Sequence, residues 1–536
     1  MRSALKYWGL ALLSGLLLSL SWPAKGIPFL ALFALVPLLL IEDSLSRSPY
    51  KGLKFLGYSY VTFFTWNLLT TYWIYFSSPE GAYMAIGVNS LFMAIIWWMF
   101  HRTKSVLGPQ PGYIALAVYW LSFEYLHLDW DLSWPWLMLG NSFANYIQFV
   151  QWYDVTGVLG GTLWILVSNI LAYRLVKSSA ERRRALGLSA GLLLWILVPV
   201  AISWIKYFSY REKENPIKVV LVQPNIDPWK DKFGGMSPME QMDRMLDLAR
   251  PLTDSSTDYV ICPETAIPVG VWDHKLAENP QIEAIDSFIA PYPHLKFITG
   301  LTHLQLFGPG DDIPSTAAPY GKRGLYYDDH NSAIQIDNTQ PFQLYHKSKL
   351  VPGPEMFPFA EILMPLQDKL FGKLGGQIGD LGTQKKRSVF YNDYRRISAA
   401  PVICYESIYG EFVGDYMLAG GNFISVSTND AWWGDSPGYK QLLAYTRLRA
   451  VETRRSVARS ANTGISCFIN QRGDIISPTP YYETTAISGT INVNDHLTFY
   501  TRHGDYIGRS AVILSALVLL YTIVRGFWGR RWPSAE

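Results

Sequence analysis

Charge is what this sequence has least of. Only 17% of its 536 residues are charged, against about 25% in a typical soluble protein. The deficit is uneven: residues 1–210 are strongly apolar, whereas residues 215–500 have the mixed composition of a water-soluble domain. That split excludes one soluble globule and divides the chain between lipid and water. Cysteine is scarce too, with Cys262, Cys404 and Cys467 alone. So small and odd a set excludes a disulfide framework and leaves at least one free thiol; no two sit at metal-ligand spacing, so neither a metal nor a cofactor is expected. The net charge of +3 gives no reason to expect nucleic acid. Internal repeats and low-complexity stretches are missing.

What is abundant is apolar sequence in long runs. A membrane-crossing helix needs about 20 mostly apolar residues, and eight stretches qualify: about 5–22, 26–41, 56–77, 84–101, 113–130, 155–175, 186–206 and 507–525. The first resembles a signal peptide but is read as a retained helix, since seven more follow it. The second is short, is flanked by Pro23 and Pro28, and has a re-entrant segment as its alternative. With the N-terminus in the cytoplasm, the inner segments hold Arg2, Lys6, Arg47, Lys51, Lys54, Arg102, Lys104, Arg174, Lys177, Arg182, Arg183, Arg184, Arg525, Arg530 and Arg531, while the short outer loops hold Lys25 alone. That asymmetry sets the orientation. It makes both termini cytoplasmic and places residues 215–500 outside the cytoplasm. The expected architecture is a membrane α-helical bundle of about eight helices plus an extracytoplasmic α/β domain. Its parts are residues 1–210, with seven helices, residues 215–500, and residues 505–536, with the last helix and a tail.

One acid, Glu124, falls inside a span, where a carboxylate is either functional or paired with a neighbour. The proline-broken loop Trp130–Trp136 that follows reads as an interfacial aromatic belt or as a lid. The soluble part alternates strands and helices, which argues for a layered α/β fold. Strands are expected at 217–225, 258–264, 295–301, 331–337, 342–350, 399–405, 421–429 and 464–470, the fourth and fifth forming a hairpin that turns near Asn338. Helices are expected at 237–252, with Ser237 as its cap, and at 438–456; residues 303–330 and 353–397 read as long irregular segments.

Three residues at strand ends carry candidate chemistry. Cys404 closes an apolar strand, where a thiol faces a cleft and backbone N–H groups can meet an oxyanion. A thiol with an ordinary pKa near 8.5 needs a base. Glu264, at another strand end, can serve if an apolar setting raises its own pKa. Lys347 can supply a cation to both. Taken singly, a Glu or Lys at a strand end is usually a solvated surface residue, and Cys262 and Cys467 read as buried structural thiols.

The segments CPETAIP, YHKSKLVPGPEMFPF, VICYES and STNDAWWGDS, with the helix bearing Arg449 and Glu452 and the following ARSANTGIS, resemble the carbon–nitrogen hydrolase (nitrilase) superfamily. Within it, seven helices before the soluble domain and one after it, together with WPWLMLG, resemble the apolipoprotein N-acyltransferases. The resemblance implies an αββα nitrilase-like sandwich carrying a Glu–Lys–Cys triad. It makes Glu264 the general base, Lys347 the oxyanion cation and Cys404 the nucleophile. Glu355, Tyr405, Glu406 and Asn331 become supporting residues, and Trp136, Trp229, Trp432 and Trp433 lipid or substrate contacts. Three departures stand out: Trp229 matches only loosely where the family carries a Lys-Trp pair, His127 stands near a usual Arg, and Pro354 replaces a commoner Gly. The implied activity is acyl transfer from a phospholipid, through a Cys404 thioester, to the α-amine of a diacylglyceryl-cysteine lipoprotein. The implied enzyme is a monomer in a bacterial inner membrane. A membrane-tethered amidase or nitrilase is the rival enzyme reading, and a transporter or receptor with a decayed hydrolase domain the non-enzymatic one.

Overall fold

The computed structural model describes residues 2–45, 52–321, 324–338, 342–359 and 380–531. Two compact units emerge: Met1–Ser209 together with His503–Glu536, and Tyr210–Arg502. Arg47 and Lys51, counted above on the inner side, and the middle of the expected irregular segment at 353–397 (residues 360–379) lie outside the described residues.

The first unit is helical. Among the described residues five segments are long and apolar enough to cross a membrane: Pro28–Leu45, Pro79–Leu107, Tyr153–Lys177, Arg182–Ser209 and Tyr506–Phe527; Ala4–Leu20 is apolar but shorter. Two further helices, Gly52–Thr71 and Pro109–Leu126, carry polar side chains such as Lys54, Asn67 and Glu124 that lower their hydropathy. The short second stretch starts as a 3-10 turn at Pro28–Leu32 and becomes α-helical at Val36–Leu45.

Buried acids in this unit are tied down. Glu124 Oε1 accepts from the Trp120 indole and the Leu139 N–H, both at 2.8 Å, and Oε2 accepts from the Thr162 hydroxyl at 2.6 Å. The Thr162 hydroxyl also accepts from Gly140 N–H, so one carboxylate fixes the turn Leu139–Phe143 against two helices. Glu124 is therefore paired with neighbours, the plainer of its two expected readings. Glu42 is ion-paired with Lys104 and lies 3.0 Å from His101 Nδ1. Lys104, counted as an inner-loop cation, thus turns inward to a partner. Trp136 is buried, 4.7 Å from the Trp73 ring and stacked on Trp134.

The second unit is built on two sheets. The first holds β1 (Pro216–Gln223), β2 (Tyr259–Ile261), β3 (Ile267–Trp272), β4 (Lys296–Phe307), β5 (Ala318–Pro319), β6 (Tyr326–Ile336), β7 (Gln343–His346) and, at its edge beside β1, β14 (Thr485–Asn492). The second runs in the order β13 (Ile475–Ile476), β12 (Cys467–Ile469), β11 (Val457–Ala461), β10 (Phe423–Thr428), β9 (Ile397–Ile403) and β8 (Phe390–Asn392). Alternation along a strand decides which face each side chain serves. Val220 and Val222 join Met242, Leu246, Ile282 and Ile285 of the helices Pro238–Ala249 and Pro280–Ile289 in one core. On the other face the sheets meet: Ser460 Oγ donates to Val222 O at 2.8 Å, Ser427 Oγ to Cys262 O at 3.0 Å, and Tyr259 contacts Phe423 at 5.1 Å. Ser237 caps its helix in a reciprocal box with Glu240.

The expected hairpin forms, with Ser332 opposite His346. The irregular reading of 303–330 is corrected at both ends. β4 continues to Phe307 and β6 begins at Tyr326, and the two pair throughout residues 297–307 and 326–336. Asp328 and Asp329 disguised the strand in the sequence, because acidic residues are poor strand formers that here are held by the ladder.

Candidate active site

Three strand ends converge. β1–β2 and β9–β10 are parallel pairs, so the residues after β2, β9 and β10 leave their sheets at the carboxyl ends, where ligands gather in α/β folds. Glu264 follows β2, Cys404 follows β9, and Asn429 follows β10. Beyond the β6–β7 ladder one more bond, Lys347 N–H to Asn331 O at 2.8 Å, sets Lys347 beside Asn331. Both then reach the same carboxylate. Glu264 Oε1 accepts from Lys347 Nζ at 3.0 Å and from Asn331 Nδ2 at 2.8 Å, while Oε2 accepts from the Asn429 N–H at 3.2 Å. Glu355 Oε1 takes a second bond from Lys347 Nζ at 2.7 Å and one from Asn331 Nδ2 at 3.1 Å; its Oε2 accepts from Val351 N–H at 2.8 Å. One lysine thus lies between two glutamates.

The backbone at the site is strained. Cys404 and Thr265 both have φ of +48°, a left-handed conformation that costs a non-glycine residue roughly 1–3 kcal/mol. Gly300 on β4 makes room for the second of these turns. A Cβ there would lie 2.4 Å from Thr265 N and 2.8 Å from Glu264 Cα.

Glu406 ties the cysteine turn to the lysine strand. Its Oε2 accepts from Ile403 N–H at 2.8 Å, and its Oε1 from Ser348 N–H at 2.7 Å and the Tyr345 hydroxyl at 2.6 Å. One buried carboxylate therefore sets the residue before Cys404 and the residue after Lys347. Arg449, ion-paired with Glu452 at 2.9 Å, donates to Ile408 O and braces the same turn from behind. Tyr405 is buried with its ring 5.4 Å from Tyr409. Trp229 is exposed and meets the half-buried Trp432 edge to face at 5.0 Å; Trp433 is half-buried beside it. Trp136 belongs to the helical unit.

Electrostatics divides the roles. Burial alone would push the Glu264 carboxyl up, but the Lys347 ammonium, the Asn331 amide and the charge of Lys232 outweigh it and hold the carboxyl below the ordinary glutamate range. The apolar setting that could raise this carboxyl is thus outweighed, because an ammonium in contact dominates desolvation. Burial, with the Glu264 charge added, pushes the Cys404 thiol well up against the opposing pull of Lys347. Burial acts to lower Lys347, yet Glu264, Glu355 and Cys404 raise it well above the usual range, so it stays a cation. The resting site therefore pairs a neutral thiol with a carboxylate anion. Burial also raises Cys262 and Cys467, the latter to about 12, which leaves them inert.

Two parts of the site went unread in the sequence. The Asn429 N–H and the Thr428–Asp430–Arg459 chain behind it, with bonds of 2.8 Å and 2.7 Å, were inside a quoted motif but had no assigned role. Lys232, whose Nζ donates to Glu264 O at 3.0 Å, sits in DPWKDKF among other charges, and nothing local marks it out.

Comparison with known proteins covers both units. The family model described as carbon–nitrogen hydrolase matches residues 218–496, and that described as apolipoprotein N-acyltransferase N-terminal domain matches residues 14–171. The chain is similar to the apolipoprotein N-acyltransferase of Chlorobaculum tepidum, 30% identical and covering 96% of each chain. It is similar to that of Geobacter metallireducens at 28%, covering 95% of this chain and 94% of the other, and to that of Pasteurella multocida at 27%, covering 93% and 90%. With relatives aligned end to end and models matched in both units, the chain belongs to the apolipoprotein N-acyltransferase family of carbon–nitrogen hydrolases.

Proposed function

We propose that this protein moves a fatty acyl chain from a membrane phospholipid, through a thioester on Cys404, to the α-amine of a diacylglyceryl-cysteine at the N-terminus of a lipoprotein. Glu264 takes the thiol proton as Sγ attacks the ester carbonyl. Lys347 and backbone N–H groups of the Cys404 turn hold the oxyanion. The C–O bond breaks, Glu264 returns the proton to the departing alkoxide, and a lysophospholipid leaves. The lipoprotein amine then attacks the thioester, Glu264 removes its proton, and collapse to the amide returns that proton to Sγ. Glu355 and Asn331 keep Lys347 and Glu264 in register, and Glu406 and Tyr405 fix the turn. Trp229, Trp432 and Trp433 line the approach used by acyl chains, whereas Trp136, packed against Trp73 and Trp134, supports the helical part.

In this reading residues 1–210 and 505–536 hold about eight spans in a bacterial inner membrane, both termini face the cytoplasm, and residues 215–500 form the extracytoplasmic catalytic domain of a monomer. Both substrates carry acyl chains that cost about 0.8 kcal/mol per CH₂ to expose to water, which is the physical reason to join such a domain to apolar helices. What carries the proposal is that union: a carboxylate–ammonium–thiol site and long apolar helices in one chain. A small polar amide has no need of them, so amide hydrolysis is the weaker reading. The test is intact mass of the detergent-purified protein with phospholipid. A hydroxylamine-sensitive acyl adduct on wild type, lost in Cys404→Ala, is expected. An adduct that survives Cys404→Ala, or none with any phospholipid while small amides are hydrolysed, overturns it.

A further inference from the structure

A buried ammonium sits behind the base as well as in front of it. Lys232 is 4% exposed, and its Nζ donates to Glu264 O at 3.0 Å and to the Thr265 hydroxyl. Both acceptors are neutral, and among the described residues no carboxylate lies at ion-pair distance from it. Taking an ammonium out of water costs several kcal/mol when it is not offset. Its backbone is fixed as well: Gln241 Nε2, from the helix Pro238–Ala249, donates to Lys232 O at 2.9 Å and to Met236 O at 3.2 Å. The hydroxyl that Lys232 grips belongs to Thr265, one of the residues in the left-handed conformation.

We propose that Lys232 is a positioning residue for the Glu264 base, clamping the strained turn that carries it and adding a second positive charge to hold its carboxylate ionised. The groups facing that carboxylate are Lys347 and Glu355 from beyond β7, Cys404 after β9, Asp430 after β10 and Lys232 after β1. Asp430 is offset by Arg459 at 2.7 Å. Without Lys232, Lys347 alone balances Glu264 and Glu355. Burial pulls Lys232 itself down to about 8, so it is mostly charged at neutral pH. Removing it raises the proton affinity of Glu264, and the sign follows: the base is lost at a higher pH than in wild type.

This inference rests on Glu264 acting as the base for Cys404, but its test needs no lipid. Alkylation of Cys404 by iodoacetamide, followed by mass on the full-length protein from about pH 2 to 8 so that the wild-type limb falls inside the range, reads the proton transfer directly. In Lys232→Met the acid limb is expected to move up by about one pH unit, a tenfold change in proton affinity, with a lower plateau; Lys232→Arg restores the limb. Thr265→Val, which keeps the charge and loses only the neutral acceptor, is expected to lower the plateau and leave the limb in place. A Lys232→Met limb that coincides with wild type overturns the proposal. So does a limb displaced in Thr265→Val, the decisive variant if Lys232→Met does not fold. Failure of lipid transfer with a displaced Lys232→Met limb removes the acyltransferase reading and leaves this one standing.

Discussion

Each unit of the protein buries a glutamate, and the two are served differently. In the helical unit Glu124 receives an indole N–H, a backbone N–H and a hydroxyl, all neutral and all from packed segments. In the sheet unit Glu264 receives an ammonium, an amide and a backbone N–H, and its ammonium is shared with a second carboxylate. The first set places donors on both carboxylate oxygens and joins two helices to a turn. The second leaves a charge poised beside a thiol that holds its proton. Burial of an acid is therefore no sign of function by itself. The donors differ in kind: Glu124 has neutral partners alone, whereas Glu264 shares an ammonium with Glu355.

Substitutions at three positions test that contrast. Glu264→Gln, nearly isosteric, is expected to cut acyl-adduct formation about 10³-fold, within the range for a lost general base, with little change in melting temperature. A rate within threefold of wild type would place the base elsewhere. Glu124→Ala orphans three buried donors, at about 1–3 kcal/mol each. It is expected to lower the melting temperature in detergent steeply while folded molecules still form the adduct, and Glu124→Gln to lose far less. A stable Glu124→Ala protein without adduct would erase the distinction between the two acids. Gly300→Ala is the smallest change. Its Cβ meets the backbone of the Glu264 turn, so the turn must shift at about 1–3 kcal/mol. A roughly tenfold slower adduct is expected, since reacting groups displaced by a fraction of an ångström lose much of their advantage. An unchanged rate would mean that the turn has slack.

What the sequence disclosed follows the reach of each interaction. Cys404, Glu264 and Lys347 could be singled out because each ends an apolar strand, and strand ends show in local pattern. The capped helix after Ser237 was legible for the same reason. The bonds that give these residues their properties span much longer separations: Asn331 to Glu264, Glu406 to Ser348, Lys232 to Glu264. No window of sequence contains both partners. The direction of the Glu264 shift is hidden for the same reason, since burial is a local expectation and Lys347 is 83 residues away. β11 and β14 were missed as well, one following a helix without a turn signal and the other an edge strand with alternate exposure. Glu124 was visible as an anomaly, but its partners Leu139 and Thr162 were not.

The protonated thiol of Cys404 has a consequence for the lifetime of the enzyme. The thiolate, rather than the thiol, is the form that attacks peroxides and disulfides. A nucleophile kept neutral by burial, with Cys262 and Cys467 fully buried as well, offers oxidants little to react with between turnovers. The same pocket that delays ionisation thus also shields the sulfur from oxidation.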